Sequence, residues 1–463
     1  MGPHGGGDDS VTAEAELDLL VIGAGACGLA AAIAAHDAGG TVAIVEKRDR
    51  PGGNSSLSTG SIPGAGSRYQ KAAGVEDSPE RMVADLMRTA GPHEAEDLTR
   101  LIAEESASLC EWLIDKLGAR MAFISAYRHI GHSVERLHAP RSRRGQDLVD
   151  DLLRFVSDRE IPLALGQAAE RLIVENGAVQ GAVVAGEEIR ARAVLLATNG
   201  FAADRGLVAR FCPEIAPAPY YGAPGSTGEA VLWGEGLGAA MANMGAYQGY
   251  AAVVVPQGQL LSWTTIEKGG ILVGRDGQRF GDETRGYSGF APAVMAQGEV
   301  AWAVYDARIH AIAEAEEEYA EMAAMGAVTW ADTLEALAEA VGLCAACLAP
   351  CVTDYNSAAA GALADRFGRR DFGLAPLVPP YGAVKVQPGL FHTQGGLLVD
   401  RDARVRRRGG GVVPGLYAGG GAAAGISGRE GASGYASGNG LVTALVLGRR
   451  AGLSAAAAAV QPA

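Results

Sequence analysis

The chain has 463 residues, 48% of them apolar, with 66 glycines, six cysteines and a formal net charge of −14. That length can bury a large core and gives a soft expectation of two or three domains. The acidic balance argues against a nucleic-acid-binding face, and the six cysteines supply no disulfide framework, which suits a reducing compartment.

Residues 1–16, "MGPHGGGDDSVTAEAE", are polar, acidic and Gly-rich, and read as a disordered tail without an apolar signal core. "LDLLVIGAGACGLAAAIAAHDAGGTVAIVEK" then reads as strand, glycine turn, helix and second strand. Its G-x-G-x-x-G consists of Gly23, Gly25 and Gly28. The first permits the tight turn, the second lets backbone approach a pyrophosphate, and the third lets helix and strand pack closely. Free N–H groups at the helix start favour the anion. Glu46 closes the second strand, where an acid is expected to bind a ribose hydroxyl pair. The Gly/Ser loop from Arg50 to Gly66 can run its backbone and hydroxyls along an extended cofactor.

"YRHIGHSVERLHAPRSRRG", Tyr127 to Gly145, reads as a loop of solvated charges in which His132 or Arg128 could line a pocket; its histidine spacing makes no metal site. A hairpin follows, with Asn176-Gly177 as its turn. "RFGDETRGYSGF", Arg279 to Phe290, sets Arg285 two and Tyr287 four residues after Glu283; in a strand the two would share a face. Ala307 to Met325 reads as one amphipathic helix with His310 at the surface. Cys344, Cys347 and Cys351 form a C-x2-C-x3-C run, but no histidine stands beside it and no second pair follows, so no metal is assigned. "LFHTQGGLLVD" carries His392, and the last segment gives a short strand, glycine loops and a helix starting near Gly440. No apolar run reaches membrane-spanning length, and the chain reads as cytoplasmic.

In this order, and over nearly all of the chain from Leu17, these segments resemble the FAD-dependent fumarate reductase and 3-ketosteroid dehydrogenase superfamily. The resemblance implies an α/β fold. A Rossmann-like FAD-binding domain, residues 17–245 and 392–463, is split around an α+β capping domain, residues 246–391. It implies that Gly23, Gly25, Gly28, Glu46, Gly53, Asn54 and Ser55 bind FAD. It also implies that Gly438, Asn439, Gly440 and Leu441 meet the flavin from a helix N-terminus, whose N–H groups stabilise negative charge. Three departures stand out. The loop "GGNSSLSTG" has no histidine, so the FAD is expected to be non-covalent; Asn199 interrupts the usual "ATGG"; and Gly421 stands where many relatives carry a glutamate.

In fumarate-reductase relatives the residue four after the glutamate is a proton-donating arginine, and in ketosteroid dehydrogenases it is a tyrosine base. Here it is Tyr287, with Arg285 two residues early. The C-terminal "GREGASGYASGNGL" likewise resembles the ketosteroid enzymes, which implies that Tyr435 and the Asn439 N–H polarise a substrate carbonyl as an oxyanion hole. The resulting expectation is α,β-desaturation of a cyclic ketone, such as a cyclohexanone or an oxocyclohexanecarboxylate. Tyr287 removes the α-proton, helped by Arg285 or Tyr127 because a phenol ordinarily titrates near 10. His392, at a motif where fumarate reducers bind carboxylate, keeps a polar donor suited to a keto acid. The alternative is reduction of an unsaturated carboxylate, with Arg285 as donor and His392 as substrate ligand. A non-catalytic flavin carrier has no use for a cap with phenols at the interface. No haem motif is present, so the electron acceptor is external and of unknown identity.

Overall fold

The computed structural model describes residues 17–126, 128–298 and 300–460; the expected tail and Tyr127 lie outside the described residues. A strand β1, Leu19–Ile22, is buried along its whole length, as an unbroken apolar run in a parallel sheet must be. The helix α1, Ala26–Asp37, buries every residue from Ala26 to Ala35. Such an apolar helix is stable only when covered on all sides. The strand β2, Val42–Glu46, returns parallel to β1. The six-stranded sheet runs in the order Arg404–Arg406, Val412–Ala418, Val194–Leu196, β1, β2 and Leu163–Leu165. The strand order reverses direction at β1, which opens a ligand crevice at its carboxyl end.

The helix Asn439–Val460 covers α1. A Cβ on Gly448 would lie 2.2 Å from the Cys27 carbonyl, and one on Gly452 2.2 Å from that of Ala31, so both glycines are required by close helix approach. Among the described residues Asn439–Ala459 is long and apolar enough to cross a membrane, but 67% of its most apolar window is buried inside the protein. It is a core helix.

A second sheet orders Ile271–Val273, Ala301–Asp306, Tyr381–Thr393, Gly245–Val254 and Glu430–Gly431, with Thr329–Ala331 paired to Tyr381–Thr393. Its core is separate, running from Tyr250 to Val386 in sequence. The fold is therefore a Rossmann-like α/β unit interrupted by an α+β unit. The strand Tyr381–Thr393 runs through the 391/392 boundary expected from sequence.

Four local expectations are corrected. Arg279–Phe290 is not a strand. Asp282 caps a 3-10 turn, Glu283–Arg285, through a 3.0 Å bond from the Thr284 N–H; Gly286 at φ +83° then reverses the chain into a one-turn helix, Gly286–Gly289. Ala307–Met325 is two helices, Ala307–Ala313 and Glu317–Ala324, and His310 is only partly exposed, hydrogen-bonded to Tyr319. The segment up to Gly145 is not merely solvated: Arg136, His132 and His138 are buried. Cys344 and Cys347 form a disulfide, their Cα atoms 5.3 Å apart at a helix start, within ordinary bridging distance.

Candidate active site

A cavity of ≈ 1440 Å³ runs from the carboxyl end of β1 to the second sheet. At the nucleotide end, Gly23 has φ +112° and its Cβ would strike the Ala197 carbonyl at 2.4 Å, while a Cβ on Gly28 would meet the Gly23 carbonyl at 1.9 Å. Both glycines serve the turn and the packing. Gly25 differs: its nearest neighbour on that side is 3.6 Å away, so its missing side chain leaves room on the cavity side for a ligand. The Glu46 carboxylate accepts from the N–H groups of Ala24 and Arg48, each at 2.9 Å. Two of its lone-pair directions remain for a diol. Ser55 Oγ accepts from the Ala26 N–H at 3.2 Å, tying the Gly/Ser loop to the helix start. Asn54 Oδ1 accepts from the Ala223 N–H at 2.6 Å, and its Nδ2 is buried without a partner.

Thr198 Oγ1, Gln394 Nε2 and Thr443 Oγ1 are also buried and unpartnered, and all four side chains line the cavity. Buried polar atoms are normally satisfied. A row of unsatisfied ones along a glycine-lined groove fits an extended polar cofactor. Of the FAD ligands expected from sequence, Gly23, Gly25, Glu46, Gly53, Asn54, Ser55, Gly438, Gly440 and Leu441 line this cavity, whereas Gly28 packs behind it. Asn199 takes φ +67°, a conformation asparagine tolerates, and its Oδ1 would lie 2.5 Å from a Cβ on Gly421. The two departures are thus one: the asparagine side chain occupies the space beside Gly421. Among the described residues no group of three or more His, Cys, Asp or Glu is placed to hold a metal.

At the other end, Glu283 is fully buried and carries the turn that presents Tyr287. It accepts from Arg279 Nε and Nη2 at 2.9 and 2.7 Å and from Arg369 Nη1 at 3.2 Å. The pairing of Glu283 is therefore structural, and it fixes where the residue four positions on emerges. Tyr287 opens onto the cavity and stacks on Tyr250 at 4.9 Å, with Tyr435 at 5.8 Å and Trp263 at 6.3 Å between ring centroids. Arg285 is exposed and does not line the cavity.

Burial raises the Tyr287 pKa, while hydrogen bonding to Ser437 and Tyr435 pulls it back down. Tyr435 is raised further, by burial and then by Tyr287. His392 lines the same space, 6.5 Å from the Tyr435 ring, and burial lowers its pKa so that it is neutral. The Asn439 N–H is not free in this structure: it donates to the Ala436 carbonyl at 3.2 Å, and the Asn439 side chain is buried behind the cavity.

The Tyr435–Asn439 loop is braced from beneath. Arg136 donates to both Asp77 oxygens at 2.6 and 2.7 Å, to Asp85 at 3.0 Å and to His132 Nδ1 at 2.9 Å. Since His132 Nδ1 accepts, its Nε2 carries the proton and donates to the Ser437 carbonyl at 2.8 Å. Burial, then Arg136, lowers the His132 pKa to about 4, consistent with that neutral tautomer. Neither this brace nor the aromatic set Tyr250, Trp263 and Phe391 has a local sequence pattern, because their members lie far apart in the chain and only the fold joins them.

The family profile described as FAD binding domain matches residues 18–439. A probable fumarate reductase of Shewanella frigidimarina is 32% identical over 95% of this chain and 74% of its own length. The open conformation of a flavocytochrome c3 fumarate reductase superposes with a TM-score of 0.82 at 31% identity, covering 97% of this chain and 80% of that one. The 3-ketosteroid-Δ4-(5α)-dehydrogenase of Rhodococcus jostii RHA1, in complex with 4-androstene-3,17-dione, superposes with a TM-score of 0.76 at 26% identity, covering 96% and 98%. The chain belongs to the FAD-binding fumarate reductase and ketosteroid dehydrogenase superfamily, and it is an FAD-dependent oxidoreductase.

Proposed function

We propose that this oxidoreductase desaturates a cyclic ketone between its α- and β-carbons. The observation that carries the reading is the Tyr287–Tyr435 phenol pair facing an aromatic cavity wall, with Arg285 exposed outside it. Rings of Tyr250, Trp263 and Phe391 suit a flat apolar ring better than a small dicarboxylate. Bound FAD supplies the acceptor for a hydride from the β-carbon.

The protein's part is proton handling and charge stabilisation. Tyr435 donates to the ketone oxygen as it becomes enolate-like. Its partner is an N–H at the start of Asn439–Val460; for Asn439 this requires release from Ala436 when substrate binds. Tyr287, as phenolate, takes the α-proton, and Ser437 stabilises that anion while the single Tyr435 proton is turned to the ketone oxygen. The division into a FAD-binding part, residues 17–245 and 392–463, and a cap, residues 246–391, belongs to this proposal, as does an electron acceptor from outside the chain.

The second reading, reduction of an unsaturated carboxylate, is favoured by the fumarate-reductase relatives and by His392 in the cavity. Anaerobic mixing separates the two. Oxidised enzyme bleached by cyclic ketones supports desaturation. Reduced enzyme reoxidised by fumarate-type acids, with no bleaching by ketones, supports the second reading.

A further inference from the structure

Arg143 lies in the turn between the strand Leu137–Pro140 and the helix Gly145–Asp158, and it lines the cavity. Three features mark it. Its backbone is left-handed, φ +59°, a conformation an arginine adopts at a cost and one that recurs at functional sites. Its Nε is buried with no hydrogen-bond partner. Among the described residues it has no carboxylate partner; its Nη2 donates instead to His129 Nε2 at 3.2 Å. Burial, then Arg143, lowers the His129 pKa to about 3, so the ring is neutral and offsets none of the guanidinium charge.

This corner adjoins the chemistry. The carbonyl of Ile130, next to His129, accepts from the Ser437 N–H at 3.0 Å, and the Ile130 side chain lies against Gly286, the residue before Tyr287. The cavity lining also carries charge of both signs. Arg128, Arg143 and Arg144 line it, as do Glu267, Glu316, Glu317 and Glu318, and Arg144 and Glu317 are already paired at 3.2 Å.

We propose that Arg143 anchors a substrate carboxylate, so that the ring ketone taken by this site is a keto acid. This rests on the ketone reading above and names its substrate class. Arg143 offers a planar fork matched to a carboxylate, and the carboxylate neutralises a charge that has no carboxylate partner among the described residues. The aromatic wall holds the ring, and the phenol pair faces the ketone.

The test uses FAD-loaded enzyme and cyclohexanecarboxylate, which has the ring and the anion but no ketone to react. Calorimetric titration should show binding that Arg143→Gln weakens about 10- to 100-fold, the scale of a charge-assisted bond. Arg143→Lys should be intermediate. Arg144→Gln, which removes the same charge from a side chain already paired with Glu317, should weaken binding far less. The ratio of kcat/KM for 4-oxocyclohexanecarboxylate to that for cyclohexanone should fall with Arg143→Gln by the same factor as affinity. Unchanged affinity, an equal loss on both ketones, or loss of FAD with the ratio intact overturns the anchor. If no ketone bleaches the wild-type flavin while cyclohexanecarboxylate binding still depends on Arg143, the ketone reading fails and the anchor stands.

Discussion

At the scale of single residues the proposed reaction turns on two phenols and the shifts that burial imposes on them. Tyr435 should matter most when charge develops on the substrate oxygen. Tyr435→Phe should therefore slow flavin reduction by an amount equivalent to about 3 kcal/mol while changing substrate affinity little. An unchanged rate of bleaching in stopped flow removes it from that role. In the proposed reaction Tyr287 acts in its deprotonated form, and burial holds its pKa above the ordinary phenol value. The working fraction must then rise as pH rises. Flavin reduction should climb about tenfold per pH unit below that pKa, as for a base far from its titration point. A flat profile between neutral and mildly alkaline pH would show that another group takes the proton.

At the scale of elements, the legible parts were those with local signals. The strand, glycine turn, helix and acid of the nucleotide end fix Gly23, Gly25, Gly28 and Glu46 by spacing alone, and Asn176-Gly177 marks the hairpin between Ala169–Glu175 and Ala178–Val184. The four-residue step from Glu283 to Tyr287 was visible, but its cause was not. Glu283 owes its burial to Arg279 and to Arg369, and Arg369 is 86 residues away in sequence. The brace under Tyr435–Asn439 was hidden for the same reason: its charges look solvated in sequence and only the fold buries them together. Removing Arg136 leaves Asp77 and Asp85 without their buried cation. Arg136→Met should cost about 3–5 kcal/mol of stability, measured by denaturant unfolding, because it strands buried charge. A cost under 1 kcal/mol would mean that this cluster does not hold the loop.

At the scale of the whole molecule, two parts with separate cores line one cavity, with a glycine-lined groove at one end and an aromatic wall at the other. The absence of histidine from Gly52 to Gly66 predicts non-covalent FAD. Acid precipitation should leave all flavin in the supernatant, and a yellow pellet contradicts this. The central claim is that Tyr287 moves the substrate proton and Arg285 does not. The direct measurement is the anaerobic rate of flavin reduction by a cyclic ketone in Tyr287→Phe and in Arg285→Lys, both with FAD content verified. The account predicts a loss of about 100-fold or more in Tyr287→Phe, the scale of losing a general base. It predicts a small change in Arg285→Lys, whose side chain is exposed. An active Tyr287→Phe beside an inactive Arg285→Lys would contradict it.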